Sequence, residues 1–533
     1  MKFKKILTEQ WSFLYAGIMF GIAQIVYMTG LWISALQHGK TPHLKPITVT
    51  TDLGKMFRGV EVFINHLFGF KSEIYGQYGK LVIDGVEKVL PSGGAFVPGI
   101  GWPIVGMIIG GWLVSRMEKE SRIWAYYGKR LLTVSFFGGV LFSYGTRLAG
   151  GCTLNHLMGG VPLMNIHSLV TIVFMAIGGY LGFWMMSKIK LAAYFKHQET
   201  LNYVKNADAG EQATYKPDYH PKKRWIFWLS LSFTVILVFV AFYGGLFSPE
   251  YLGHIKDEKL VAFNKSVEQK GWFYVLMTLV AGILGGIGLA KSGFGTECAL
   301  VSAETATAMT KNDRKFAWMG VPRITRTLMR GYLPMIGLAA HWVMMLAFIL
   351  AAWIFFDTPP AFAGKVKYSL TAGNFIGGLL LGMGAVLLIG CEIRSYMRVG
   401  MGYLNTWVGF AGFALGYLPF TLYFKQHKAF LAETVLAGKN GKWTNAYKIY
   451  ELFGDNPFIH KIIMVLWWFV LLLLLIWLLK RGYRNTGVPV QLLIHRNTED
   501  AQHYIDEQAK QNNGKVNGVD APVPVPKEAL PDN

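Results

Sequence analysis

The sequence predicts an all-α polytopic membrane protein of two related halves, with about ten transmembrane helices and short re-entrant half-helices. Three observations carry this. Of 533 residues, 53% are hydrophobic and 15% aromatic, and runs of about twenty apolar residues recur along the chain. Glycine reaches 61, which suits helices that approach one another closely inside a bilayer. Finally, Gly138, Gly139, Gly145, Gly151 and Cys152 match Gly377, Gly378, Gly384, Gly390 and Cys391 at one constant offset of 239 residues, the kind of internal repetition from which transporters are built.

Apolar spans are expected near residues 12 to 36, 94 to 115, 131 to 150, 167 to 187, 225 to 247, 272 to 290, 332 to 356, 372 to 390, 403 to 424 and 462 to 479. The first follows Lys2, Lys4 and Lys5. Its apolar stretch is about twice a signal h-region and no small-x-small cleavage site follows, so it is expected to stay in the mature protein. A weaker repeat relates "AGIMFGIA" (16 to 23) to "AGILGGIG" (281 to 288).

Basic residues set the orientation. Arg116, Lys119, Arg122, Lys129 and Arg130, then Lys188, Lys190, Lys222, Lys223 and Arg224, then Arg314, Lys315, Arg323, Arg326 and Arg330, and finally Lys480, Arg481 and Arg484 fall in alternate connections. By the positive-inside rule these face the cytoplasm, and both termini with them. Trp11, Trp32, Trp225, Trp272, Trp467 and Trp468 lie near expected span ends, where an indole suits the headgroup level. The net charge of +21 would suggest nucleic acid in a soluble chain. Here it is read as topology and lipid contact, with nucleic acid excluded as a partner.

Four regions follow: a first transmembrane half over 1 to 187, a polar cytoplasmic linker over 188 to 224, a second half over 225 to 484, and a tail over 485 to 533. The tail ends in "NGKVNGVDAPVPVPKEALPDN", too polar and Pro-rich to bury a core, and is expected to be disordered. Residues 57 to 70 read as an interfacial amphipathic helix on the outer side.

The chemistry lies in three cysteines. Cys152 closes "GTRLAGGC", Cys298 closes "GLAKSGFGTEC" and Cys391 closes "GAVLLIGC". They are too few and too far apart for a disulfide framework and lack zinc-ligand spacing, so free thiols are expected. No phosphate loop, His-Glu-x-x-His pair or nucleophile elbow is present, and neither metal nor cofactor is expected. "TLNHLMGG" after Cys152 is too short and polar to span, so a half-helix is expected to begin there. Broken backbone within a membrane is tolerated where it is buried in protein or lines a polar cavity. The half-helix start carries unpaired N–H groups and partial positive charge, favouring an anion and lowering the pKa of a thiol. "FGTECALVSAETATAM" and "IGCEIRSYMRVGMG" fit the same pattern.

Accessory residues carry alternatives. Gly151 and Gly390 form the turns before two of the cysteines. Glu297 and Glu392 adjoin cysteines; intramembrane carboxylates are functional candidates, yet a negative charge there repels an anion, so each either pairs with a base or has no transport role. Arg147 and Arg394 are the nearest bases, Arg394 also reading as a topology charge. His156 either donates to an oxyanion or packs as a hydrogen-bonding residue. The Met185–Met186 and Met344–Met345 pairs read as packing.

With "GTRLAGGCTLNHLMGG" and "GAVLLIGCEIRSYMR" at its most specific points, the stretch from about residue 12 to 424 resembles the YeeE/YedE family of sulfur-transport membrane proteins. The resemblance implies inverted repeats with half-helices meeting at the centre of a bacterial inner-membrane protein. It implies passage of thiosulfate, or a related sulfur anion, by brief contacts with Cys152, Cys298 and Cys391. One departure is that no cysteine stands near residues 28 to 34, where family members often have one. Selenium compounds as cargo, and a membrane-embedded sulfurtransferase passing a persulfide to a cytosolic sulfur carrier, are the alternatives.

Overall fold

The computed structural model describes residues 11–57, 80–83, 86–89, 100–117, 129–188, 232, 262–292, 333–360, 366–388 and 390–486. The helices, in order, are α1 (Phe13–Gln37), α2 (50–57), α3 (Trp102–Met117), α4 (Lys129–Leu148), α5 (Ile166–Lys188) and α6 (Ala262–Ser292). They continue as α7 (Leu333–Phe356), α8 (Ala372–Leu388), α9 (Glu392–Met401), α10 (Leu404–Leu422), α11 (Phe424–Glu433) and α12 (Pro457–Thr486). A π-helix, Leu154–Gly160, joins α4 to α5. These elements overlie nine of the ten expected spans; the tenth, 225 to 247, lies outside the described residues except for position 232.

Among the described residues, five stretches are long and apolar enough to cross a bilayer: Phe13–Gln37, Gly271–Ser292, Pro334–Phe356, Ala372–Met401 and Pro457–Gly482. Trp102–Met117 and Ile166–Gly182 are apolar but shorter. Gly271, at φ 76°, breaks the helical path of α6, so its membrane part begins there. The protein is a multi-pass, helical membrane protein. The expected interfacial helix over 57 to 70, the linker and the tail fall outside the described residues apart from Phe57, Lys188, Asn485 and Thr486.

The repeat read from the glycines has a packing meaning. Helices α4 and α8 cross antiparallel at the centre. A Cβ on Gly145 would lie 2.9 Å from the Gly377 carbonyl oxygen, and one on Gly377 would lie 2.7 Å from that of Gly145. At the other end of the crossing a Cβ on Gly384 would lie 2.7 Å from the Gly138 carbonyl oxygen. An offset of 239 residues carries Gly138 to Gly377 and Gly145 to Gly384, so the two contacts exchange under the repeat. The flanking helices exchange with them: Gly139 faces Gly409 of α10 across α4, and Gly378 faces Thr171 of α5 across α8. Such side-chain-free crossings are the source of cohesion where lipid removes the hydrophobic drive between helices.

Around this centre α1 packs on α6 and α7, and α3 packs on α6 and α9. Helix α12 docks on α7 through the Trp468 indole, which donates to the Val343 carbonyl at 3.0 Å. Its other face, with Leu466, Phe469, Leu473 and Trp477 exposed, suits lipid. Trp467 and Trp468 therefore differ from their expected headgroup positions. Helix α12 starts at Pro457 rather than near 462, which places both inside the span, and Trp467 donates to the Val161 carbonyl at 3.2 Å.

Residues 434–453 cover the starts of α5 and α8, with Leu370 N–H donating to Ala437 O at 2.8 Å and Ile166 N–H to Tyr447 O at 3.0 Å. A two-stranded hairpin, β1 (Lys80–Ile83) and β2 (Val86–Val89), pairs Lys80 with Val89 and Ile83 with Val86. Its sequence signal was the Asp84-Gly85 dipeptide between two β-prone runs.

Candidate functional site

The starts of three helices meet. The Val49 carbonyl accepts from Leu53 N–H at 2.9 Å at the start of α2, and Cys152 from His156 N–H at 3.0 Å at the start of the π-helix. Cys391 accepts from Ser395 N–H at 2.8 Å at the start of α9. Cys391 is the N-cap of α9, and Cys152 stands directly before Thr153, the N-cap of the π-helix; the first N–H groups of a helix have no intrahelical acceptors. Gly150, at φ 77°, makes the turn before Cys152, and its Cα faces the Lys367 carbonyl too closely for a side chain.

Side chains of the three starts touch. Thr50 of α2 donates to Glu392 Oε2 of α9 at 3.5 Å, and Tyr396, one turn on, donates to Glu392 Oε1 at 2.5 Å. The Cys152 thiol is within hydrogen-bonding reach of the same carboxylate and of Thr50. Thus Cys152 and the residue that follows Cys391 are in contact. Both cysteines are free thiols and fully buried. Arg147, in the last turn of α4, donates to the Thr50 carbonyl at 2.5 Å and stacks 4.2 Å over the Tyr417 ring.

Further elements brace this meeting point. Gln24, buried in the middle of α1, accepts from Ile47 N–H at 2.8 Å and so holds the segment leading into α2. The last carbonyls of the π-helix, which would otherwise be orphaned inside the membrane, are satisfied from α7: Trp342 donates to Leu157 O at 2.8 Å and His341 to Met158 O at 3.3 Å. On the side of the 366–370 segment, Lys367 donates to Thr51 at 3.5 Å. Withdrawal from water, with Lys45 and Arg147 as neighbouring cations, pushes its ammonium down to about 7 against the opposing pull of Cys152 and Asp52. Asp52 is ion-paired with Lys55 at 3.2 Å.

The other residues named from sequence take distinct places. Gly151 leaves no room for a side chain, since a Cβ would lie 2.7 Å from that of Asn155, whereas a Cβ on Gly390 would meet nothing closer than 3.4 Å. His156 is buried, its Nδ1 3.1 Å from Ser168 Oγ and its ring edge-on to His167. Arg394 is half-buried beside Gly390. Glu392 takes hydroxyl and thiol partners rather than a hydrogen-bonded base, with Arg147 acting at longer range. Cys298 and Glu297 lie outside the described residues.

Thr50, Tyr396, Lys367, Gln24 and Tyr417 were not singled out from sequence. Thr50 heads the stretch 50–57, whose mixed residues show no apolar period. "TTD" before "LGKMF", a capping residue type at a helix start, was the signal available.

Comparison with protein families yields a match to the model described as Sulphur transport, over residues 1–181 and 323–496. No curated protein matches the chain. The two matched parts make up about two thirds of the sequence and contain Cys152 and Cys391, while Cys298 falls between them. The chain belongs to the YeeE/YedE sulphur transport family.

Proposed function

We propose that this protein is an inner-membrane permease for thiosulfate or a closely related sulfur anion, with both termini in the cytoplasm and a path running past Cys152, Cys391 and Cys298. The observation that supports it most is the convergence of the starts of α2, the π-helix and α9, two of them with a cysteine at the cap or directly before it. Aligned N–H groups and the helix dipole favour an anion at such a point. A thiol donates only weakly, so each contact is loose, and a conducting path needs sites that release as readily as they hold. No covalent step is required. The first half over 1 to 187 and the second over 225 to 484 would each supply one half-helix with a cysteine at its start, Cys152 and Cys391, with Cys298 a further contact.

Burial favours this reading over a sulfurtransferase, because Cys152 and Cys391 are fully enclosed and persulfide exchange needs a thiolate that a donor protein can reach. Purified protein in liposomes tests the proposal. Labelled thiosulfate should accumulate, with unlabelled thiosulfate competing better than sulfate, sulfide or selenium analogues. Failure to move any of these anions would overturn it.

A further inference from the structure

Resting on that transport reading, we infer that the Glu392 carboxylate is a tethered competitor of the transported anion, occupying the donors that the anion must use. Glu392 is buried, and its two oxygens are spread over donors from three different elements: Tyr396 on α9, Thr50 on α2 and Cys152 before the π-helix. A carboxylate presents negative oxygens on one small centre, as a sulfur oxyanion does. The donors that satisfy the one therefore suit the other.

A buried ring of hydroxyl and thiol donors left empty would be costly. Glu392 fills it when no anion is present. An arriving anion gains the same hydrogen bonds only by displacing the side chain, which needs rotation of one glutamate rather than movement of backbone. The returning carboxylate then helps expel the anion. Arg147 reinforces the arrangement: its charge acts on Glu392, but its hydrogen bond goes to the Thr50 carbonyl. It therefore does not lock the carboxylate in a bidentate pair.

The consequence is measurable. A site whose competent state is a minority binds more weakly in proportion to that minority. Removing the competitor should tighten binding and slow release.

The test measures equilibrium binding and liposome uptake of labelled thiosulfate by the full-length wild type, Glu392→Ala and Glu392→Gln. Both variants should bind thiosulfate about tenfold more tightly and show a lower maximal uptake rate. If Glu392→Ala does not assemble, Glu392→Gln, which keeps the volume and loses the charge, carries the comparison. Equal or weaker binding by the assembled variants, with wild-type uptake intact, would overturn the competitor role and leave the permease standing. Absence of wild-type uptake of any sulfur anion would overturn both.

Discussion

Arg147 donates to the Thr50 carbonyl across a 2.5 Å hydrogen bond, joining the end of the central helix α4 to the first residue of α2. The same guanidinium stacks on Tyr417 of α10, so one side chain fixes three elements around Cys152. Arg147→Ala removes a charge-assisted bond of about 1.5–3 kcal/mol and a cation–π contact of about 1 kcal/mol. It should cut uptake more than tenfold and lower the melting temperature in detergent. Arg147→Lys, which keeps charge but not the planar fork, should restore expression more than transport. Uptake at wild-type rate in Arg147→Ala would show that Thr50 needs no such tether.

The central crossing of α4 and α8 predicts paired effects. Gly145→Leu and Gly384→Leu, equivalent under the repeat, would each drive a side chain into the backbone of the opposite helix. Both should lose monodisperse protein on size-exclusion chromatography, whereas Gly390→Ala, whose Cβ would make only ordinary contacts with Arg394 and Arg398, should be recovered normally. A stable Gly145→Leu protein would contradict the packing.

Lys367 predicts a pH dependence. With its ammonium pushed down to about 7, the positive charge is present below that pH and lost above it. Thiosulfate carries its charge throughout this range, so affinity for the anion should fall as the outside is raised from about pH 6 to about pH 8. Lys367→Arg keeps its charge and should flatten the profile. An apparent KM for uptake that is unchanged in the wild type over this range would contradict the role of Lys367.

Gly151 gives a fourth prediction. Because a Cβ there would strike Asn155, Gly151→Ala should displace the cysteine turn and reduce uptake by at least fivefold, at near-normal stability of the bundle. Unaltered uptake would mean that the turn tolerates the shift.

Much of this was legible in the chain because membrane helices announce themselves. The apolar runs placed α1, α7 and α8 to within a few residues, and the matched glycines gave the repeat, though not that Gly145 and Gly377 meet where its two copies cross. The Gly150-Gly151-Cys152 break likewise marked the start of a short helix. What could not be read was the third participant. Thr50 has no apolar period to advertise it and matters through Glu392, 342 positions on, while Gln24 is one polar residue inside an apolar run and matters through the Ile47 N–H, 23 positions on. Tyr396 looked like an ordinary helix residue, since only folding shows that it faces Glu392. The indoles of Trp467 and Trp468 were read as headgroup anchors because composition cannot tell a lipid interface from a buried carbonyl.

The central proposal is that the anion passes the buried thiols where the half-helices meet. Its most direct test is labelled thiosulfate uptake into proteoliposomes by Cys152→Ala and Cys391→Ala, with insertion verified for each. Uptake should drop to the level of protein-free liposomes in both variants. Wild-type rates in both would contradict the account.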